Sequence, residues 1–305
     1  MTAPRPAAPD ALPEFDRHRR LLFGVAYQML GSVADAEDVV QDTWLRWSSA
    51  ARAEVADPRA YLVRIASRLA LDRLGAARTR RETYVGPWLP EPLLTDDPAH
   101  GPEETVELGE QVSLAVLVVL ETLSPVERAV FVLREVFGFS WAEVAAALDR
   151  SEAAVRQLGH RAREHVQARR PRFDADRRAQ REVTERFLAA CVGGDVEALL
   201  AVLSPGVVLL TDGGGRVKAA LRPIVGADKA ARFLVAVAAQ GLHAPGLVIR
   251  PAEVNGAPGL VVDGGTGPLM AASLVVAGGR VEQALVVLNP DKLAGIAAAG
   301  VGGRT

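Results

Sequence analysis

The chain has 305 residues, a formal net charge of −2 and a single cysteine, Cys191. Its length is sufficient for two or three domains with separate cores, and its charge excludes a uniformly basic protein. One cysteine excludes an internal disulfide framework, and the absence of a run of about 18 apolar residues argues against a membrane helix. We therefore expect a cytoplasmic protein with no membrane association, no cofactor and no metal site.

The N-terminus is predicted to be disordered at 1–14, and a first amphipathic helix follows it. A second helix is predicted to begin at Asp35, within DAEDVVQDTWLRW. The carboxylates Asp35, Asp38 and Asp42 share one face of this helix. Carboxylates in a first turn stabilise a helix through its dipole, so the first two have a structural explanation. Asp42 lies beyond that effect, and beside exposed Gln41 it indicates an acidic docking surface for a basic protein partner.

Arginines dominate the next helix, for which Asp57 is the predicted cap and Pro58 the first residue. Residues 52–81 contain eight arginines and only three acidic residues, a net charge of plus five. Such a stripe suits a phosphate backbone, and an ordinary solvated helix face is the alternative interpretation.

The sign of the charge reverses between Leu89 and Glu110, where seven acidic residues and no arginine or lysine occur. Four prolines in this stretch oppose helix formation, so we predict an extended linker. The linker would keep two basic modules apart or occupy a basic channel in a partner. It contains the sequence WLPEP, an aromatic anchor made of Trp88, Leu89, Pro90, Glu91 and Pro92.

A helix-turn-helix is predicted from Ser140 onward, because Ser140 and Glu143 form a capping box at the start of a helix. The preceding helix has the same device in Ser124 and Glu127. Ser151 caps the second helix, which should bury one apolar face and expose the other. The exposed side chains are of the kinds that bind phosphates and major-groove base edges, namely Arg156, Gln157, His160, Arg163 and Gln167.

Residues 150–181 contain ten arginines and four acidic residues, a net charge of plus six. Two basic helical modules joined by an acidic tether imply two DNA contacts at a set spacing. An ordinary helical hairpin with a solvated basic face is the alternative for the second module.

Beyond Arg177 the pattern changes to helices followed by short β-type runs between glycines. Ala227 to Gln240 is also helical by pattern. We expect a curved antiparallel sheet with helices on one face, an α+β cone. The predicted strands are Val207–Thr211, Arg216–Ala220, Leu247–Val254, Leu260–Asp263, Leu269–Val276 and Val281–Leu288.

A cone of this kind encloses a pocket, in which Asp212, His243 or Asp263 could act as a general acid or base. Both aspartates directly precede glycines, in turns where aspartate is favoured for backbone reasons. His243 stands alone in a loop with glycine and proline. These settings favour a structural role over catalysis.

Three ordered blocks between Phe15 and Arg170 resemble the extracytoplasmic-function (ECF) sigma factors of bacterial RNA polymerase. The blocks are DAEDVVQDTWLR, DPRAYLVRIASRLALDRL and LSPVERAVFVLREVFGFSWAEVAAALDRSEAAVRQLGHRARE. The resemblance implies two all-α sigma domains: region 2 at 15–83 and region 4, with the helix-turn-helix, at 111–172. The linker would then occupy 84–110. Core RNA polymerase, through its β′ clamp and β flap, and promoter DNA would be the partners.

The same resemblance assigns roles to individual residues. The helix docking on the polymerase clamp would contain Asp35, Asp38, Gln41, Asp42 and Trp44. The residues near the minus-10 strand would be Arg64, Arg68 and Arg73. The residues reading the minus-35 groove would be Arg156, Gln157, His160 and Arg163. Many family members have asparagine where Ser67 stands, which leaves the capture of a minus-10 base open.

Residues 177–293 resemble the SnoaL-like domain of the nuclear-transport-factor-two-like superfamily, with a flexible tail predicted at 294–305. Sigma factors carrying this extension share the marks WLPEP, DGGGRV (Asp212–Val217) and NPDKL (Asn289–Leu293). The resemblance implies that this α+β domain regulates the sigma part in cis and sets how far apart the two DNA modules can sit. The implied contacts are with WLPEP or with the neighbouring sigma domains. They would be made by Asp212, Gly213, Gly214, Gly215, Asn289, Pro290, Asp291, Lys292 and Leu293.

A small-molecule ligand in the pocket could tune this regulation, but no residue pattern names one. Two alternatives remain: a helix-turn-helix regulator that works without polymerase, and a SnoaL-like cyclase or isomerase fused to a DNA-binding module. The first would bind DNA alone, and the second would turn over a substrate.

Overall fold

The structure, a computed structural model, describes residues 11–50, 55–95, 113–169, 176–241 and 246–301. Residues 1–10, the acidic linker residues after Thr95, and His243 lie outside these ranges. The chain divides into two compact units, one of Met1–Glu82 with Val119–Arg169 and one of Thr83–Val118 with Arg170–Thr305. No helix in the described ranges has the length and apolar character needed to cross a lipid bilayer.

Helices alone build the first unit. They are α1 (Ala11–Leu30), α2 (Val33–Ser49), α3 (Pro58–Glu82), the end of α4 (Leu114–Leu120), α5 (Pro125–Phe131) with a following π-helical turn (Val132–Val136), α6 (Trp141–Leu148) and α7 (Glu152–Arg169).

Local capping residues define most of these helix ends. Ser124 and Ser140 each close a complete capping box, as predicted. The second helix begins two residues before the predicted Asp35, because the Ser32 hydroxyl accepts the Asp35 N–H. Gly31, with a φ of 66°, ends α1. These signals are local in the chain, which is why the sequence identifies them.

A buried arginine joins the helices before and after the linker. The guanidinium of Arg128, which is 1% exposed, donates to the Gln28 carbonyl through Nε at 3.2 Å and Nη2 at 3.1 Å. Arg81 donates to the Leu30 carbonyl, and Glu121 accepts from both arginines. The last carbonyls of a helix lack intrahelical donors and favour cations. The two helical modules, which the sequence predicts as separate, therefore pack together in this unit.

The two helices of the helix-turn-helix are in close contact at Gly159. Asp149 takes the left-handed conformation (φ 56°) that ends α6, and the Ser151 hydroxyl accepts the Ala154 N–H at the start of α7. A Cβ on Gly159 would lie 2.6 Å from the Trp141 ring. Glycine therefore allows the Trp141 ring to pack against the backbone of α7.

The second unit is an α+β domain together with the first part of the linker. Its helices after the linker are α8 (Arg177–Gly193), α9 (Val196–Val202), α10 (Ala227–Gly241) and α11 (Pro290–Val301). Its strands are β1 (Leu203–Asp212), β2 (Ile224–Val225), β3 (Val248–Val254), β4 (Ala257–Asp263), β5 (Pro268–Ala277) and β6 (Arg280–Val287). They form one sheet in the order β2-β1-β6-β5-β4-β3.

An apolar core fills the space between this sheet and its helices, with Phe187, Cys191, Leu199, Leu209 and Leu274 among its members. Burial raises the pKa of the Cys191 thiol to about 12. The thiol is thus a neutral packing group, as expected for a cysteine on an apolar helix face.

Three predictions for this domain were wrong. Residues Arg216–Ala220 form a loop, because Gly214 and Gly215 adopt positive φ and the Thr211 side chain binds the Ala220 backbone. The sheet is mixed, since β1 pairs in parallel with β6 across a long connection. The supposed flexible tail is helical as far as Val301, because α11 continues through an alanine-rich sequence.

Replacing Gly159 by alanine should lower the free energy of unfolding by roughly 1–3 kcal/mol, because the added methyl overlaps the Trp141 ring. Gly75→Ala is the matched control: Gly75 also lies within a helix, and a Cβ there meets nothing within 4 Å. This control should stabilise the chain by about 1 kcal/mol through helix propensity. Urea unfolding measures both variants, and a Gly159→Ala protein as stable as the parent would contradict the packing described.

Candidate functional site

A buried carboxylate at the end of β1 holds the linker on the α+β domain. Asp212 has no exposed surface. Its Oδ2 accepts from the Leu89 N–H at 2.8 Å and from Lys292 Nζ at 2.7 Å, and its Oδ1 accepts from the Tyr84 hydroxyl at 2.6 Å. Burying a charge without partners is costly, so these three donors stabilise the ionised carboxylate.

The cation in this cluster is enclosed by linker side chains. Lys292 Nζ donates to the Leu89 carbonyl and lies 4.2 Å from the Trp88 ring centroid and 4.8 Å from that of Tyr84. Aromatic faces attract a desolvated ammonium group. The linker therefore completes the environment of a buried ion pair whose two members come from β1 and α11.

Tyr84 is a member of the site that the sequence analysis missed. Asn289 donates to the Tyr84 hydroxyl at 2.9 Å, while that hydroxyl donates to Asp212. Burial and the hydrogen bond to Asp212 raise the pKa of Tyr84, so the phenol remains protonated and acts as a donor. Its position four residues before Trp88 was the available signal, but no pattern linked it to Asp212.

The three glycines after Asp212 allow close approach of the backbone. Gly214 has a φ of 58°, and a Cβ there would overlap Asn289 and the Tyr84 hydroxyl. A Cβ on Gly213 would lie 2.5 Å from the Val217 carbonyl oxygen. The turn thus brings DGGGRV and NPDKL together around the linker.

The other predicted members of this cluster have supporting positions. Arg216 forms an ion pair with Asp291 at 3.2 Å, but both side chains are more than 60% exposed, so the pair contributes little. Pro290 begins α11, and Leu293 is buried. In the linker, Pro90 and Pro92 are buried, and Glu91 is half-buried.

The candidate polymerase-binding residues on α2 divide into two groups. Asp42 pairs with Arg73 of α3 at 2.8 Å, and the Trp44 ring packs edge-on against Phe15 at 5.1 Å. Asp35 is half-buried at the helix start. Asp38 and Gln41 are exposed, and Leu45, which the sequence analysis did not single out, lies on the same face with 56% of its surface exposed.

The candidate minus-10 residues on α3 are in different environments. Arg64 is exposed. Arg68 donates through Nε to the Ala147 carbonyl at 3.3 Å and lies 3.7 Å from Asp149 at the end of α6. Ser67 is completely buried, so it does not present its hydroxyl to solvent in this arrangement.

The candidate minus-35 side chains lie together on the exposed face of α7. Arg156 pairs with Glu152 at 2.9 Å, Arg163 with Glu135 at 2.6 Å, and His160 lies 3.5 Å from Glu164. Gln157 is exposed. Exposed ion pairs contribute roughly 0–1 kcal/mol, so phosphates can readily replace these carboxylates.

Two of the residues considered for catalysis, Asp212 and Asp263, are each bound to other groups of the protein. Both oxygens of Asp212 are already hydrogen-bonded, and Asp263 pairs with Arg250 at 3.3 Å. His243 lies outside the described residues. Among the residues that the structure describes, no group of three or more His, Cys, Asp and Glu side chains could hold a metal ion.

Comparisons with known proteins identify the family to which the two helical modules belong. Residues 15–80 match the family Sigma-70 region 2, and residues 113–166 match Sigma-70, region 4. The chain is 41% identical over 293 residues to the ECF RNA polymerase sigma factor SigJ of Mycobacterium tuberculosis, covering 92% of this chain and 93% of SigJ. It therefore belongs to the ECF RNA polymerase sigma factors, which confirms the resemblance found in its motifs.

Within this family the chain is similar to SigJ along almost its whole length, the α+β domain included. The crystal structure of SigJ matches with a TM-score of 0.76 at 38% identity, covering 93% of this chain and 98% of that one. The probable ECF sigma factor SigI of the same organism is 32% identical over 280 residues, covering 90% of this chain and 92% of SigI. The predicted fold class, helical sigma domains followed by an α+β domain, is confirmed.

Lys292→Met should release the linker, because it leaves Asp212 buried without its cation and removes the donor to the Leu89 carbonyl. Breaking a buried pair costs about 3–5 kcal/mol. Hydrogen exchange of a peptide spanning residues 84–92 should become faster. Asp263→Asn, which breaks a half-exposed pair in the same sheet, is the control and should leave this exchange unchanged. Equal protection in the Lys292→Met protein would contradict the assigned role.

Proposed function

We propose that this sigma factor binds core RNA polymerase, directs promoter-specific initiation and is regulated in cis by its SnoaL-like domain. The buried cluster of Asp212, Lys292 and Leu89 is the observation that carries the regulatory part. The linker it binds is the segment that joins the region 2 part to the region 4 part. A domain that holds this segment changes the length of chain available to separate the two DNA modules.

The exposed face of α2 is our candidate for the polymerase contact. Asp38 and Gln41 offer a charge and an amide, and Leu45 offers a large apolar side chain beside them. An apolar anchor with a polar surround is the usual composition of an interface centre. Asp42 and Trp44 also contact Arg73 and Phe15 within the helical unit, and they remain candidates for the same interface.

Promoter DNA is proposed to contact α7 and α3. The side chains of α7 are exposed and held only by surface ion pairs. On α3, Arg64 is exposed and lies 5.5 Å from the centroid of the Tyr61 ring. Arg68 must break its contacts with the Ala147 carbonyl and Asp149 to bind DNA. Binding at the minus-10 position therefore competes with packing inside the helical unit. A few kcal/mol decides which arrangement dominates, and any domain that shifts this balance regulates the factor.

The α+β domain is proposed to act by binding and not by catalysis. Its only fully buried carboxylate among the described residues, Asp212, uses both oxygens on the linker and on Lys292. A general base must come within hydrogen-bonding distance of its substrate, and Asp212 has no exposed surface. Because a sigma factor works on RNA polymerase, its place of action is the cytoplasm.

Run-off transcription with core polymerase tests the proposal as a whole. The full chain should give promoter-specific transcripts, and their amount should change when the chain is stopped before Asn289 or near Arg172. Lys292→Met in the full chain should change the amount of transcript in the same direction as the truncation before Asn289. This single substitution checks that the effect of the truncation does not come from misfolding. No transcript from any of these proteins would contradict the sigma function. A DNA footprint without polymerase would then favour an independent regulator, and substrate turnover would favour an enzyme.

Leu45→Ala should weaken binding to core polymerase about tenfold, equivalent to about 1.4 kcal/mol, without changing the melting temperature. Leu12→Ala is the control, because Leu12 is similarly exposed (52%) but belongs to α1, not to the proposed docking helix α2. Fluorescence anisotropy of labelled protein measures both affinities. If Leu45→Ala binds as tightly as the control, Leu45 is not part of the polymerase interface.

A further inference from the structure

A second stretch of the linker is bound at the hairpin between β3 and β4. The Thr95 N–H donates to the Glu253 carbonyl at 2.9 Å, and the Asn255 N–H donates to the Leu93 carbonyl at 2.8 Å. Between them, Leu94 pairs with Val254 as an antiparallel bridge. The linker therefore extends the sheet at its edge strand β3, in the manner of a peptide added to a sheet edge.

The hairpin turn recognises this stretch through buried side chains. Asn255 has a φ of 50° and accepts the Leu93 N–H on Oδ1 at 3.0 Å. The Thr95 hydroxyl accepts the Gly256 N–H at 3.0 Å. Thr95 and Asn255 are each only 1% exposed. This contact lies outside WLPEP, DGGGRV and NPDKL, so it forms a distinct site, which we call the Glu253 clasp (Leu93–Thr95, Arg177 and Glu253–Gly256).

One carboxylate in the clasp contacts two distant parts of the chain. The Thr95 hydroxyl lies 3.3 Å from Glu253 Oε1, and Arg177 Nη1 donates to Glu253 Oε2 at 3.0 Å. Arg181 lies 4.0 Å from the same Oε2. The Glu253 side chain is 18% exposed, so these contacts are partly shielded from solvent.

Thr95 and Arg177 flank the region 4 part in the sequence. The chain leaves the clasp at Thr95, forms α4 to α7, and returns at Arg177, the first residue of α8. Glu253 therefore contacts the chain both before and after region 4, at Thr95 and at Arg177. The linker between Thr95 and Ser113 has 17 residues, numbers 96–112.

We propose that Glu253 is a positioning residue, which sets how far the region 4 part can reach and hence which spacings between minus-10 and minus-35 elements are accepted. If the clasp opens while Leu89 stays bound to Asp212, residues 90–95 join the free linker. Six residues add about 20 Å of contour length at roughly 3.3–3.6 Å per residue. This inference rests on the proposed sigma function.

The experiment uses the full chain, core polymerase and a promoter series in which the spacer is changed by one or two base pairs in each direction. Glu253→Gln removes the charge that binds Arg177, and the double variant with Asn255→Ala also removes the acceptor for the Leu93 N–H. Glu282→Gln is the matched control, because Glu282 lies in the same sheet and accepts from the Ser204 hydroxyl at 3.1 Å, and it has no hydrogen bond or ion pair with the described linker residues.

In the clasp variants, the ratio of transcript from altered spacers to transcript from the best spacer should be about threefold higher than in the parent protein. This change is equivalent to roughly 0.65 kcal/mol. Exchange of a peptide spanning residues 90–95 should become faster in the same proteins, and the control should keep the parent profile. An unchanged spacer profile despite faster exchange would overturn the inference alone, as would unchanged exchange in the double variant. No transcript from the parent at any spacer would overturn the proposed function, and the inference with it.

Discussion

The second unit of this molecule depends on the need of one buried carboxylate for partners. Asp212 is the last residue of β1 and has no exposed surface, so its charge requires donors from within the protein. Lys292 supplies the opposite charge from α11, but an ammonium group buried beside one carboxylate still has protons to satisfy. The linker supplies what is missing: an amide, a carbonyl, a phenol and two aromatic faces. The linker therefore supplies the hydrogen-bonding groups and aromatic faces that the buried ion pair of the domain requires.

This arrangement explains why the linker contains a short motif in an acidic, proline-rich stretch. Trp88 and Leu89 provide the ring and the backbone groups that the ion pair uses, while Pro90 and Pro92 restrict the chain between its two contact points. Restricting the unbound linker lowers the entropy lost when it binds. A linker without these prolines would lose more entropy for the same contacts.

Features set by neighbouring residues could be read from the sequence, and features set by distant partners could not. The capping boxes at Ser124 and Ser140 involve residues three positions apart, so the pattern contains all the information. The contacts of Asp42 with Arg73 and of Trp44 with Phe15 could not be predicted, because these partners are distant in the sequence. The predicted strand at Arg216–Ala220 had suitable residues, but strand formation requires a neighbouring strand, and the turn made by Gly214 and Gly215 removes it.

The WLPEP motif indicated the first contact of the linker, with Asp212 and Lys292. No motif indicated the second contact, at the hairpin between β3 and β4. The hydrogen bonds of Thr95 to Glu253 and Gly256 connect residues about 160 positions apart, and none of these residues belongs to a recognisable pattern. Only the fold places them together.

The two contact points of the linker differ in strength, and the difference suggests an order of events. Asp212 and Lys292 are buried, so releasing the linker removes several hydrogen bonds at once from a buried ion pair. The clasp consists mainly of backbone pairing at a sheet edge and a partly exposed carboxylate, whose groups regain water when it opens. Structures open locally at the contacts that cost least. We therefore expect the contact at Leu93–Thr95 to open before the contact at Leu89.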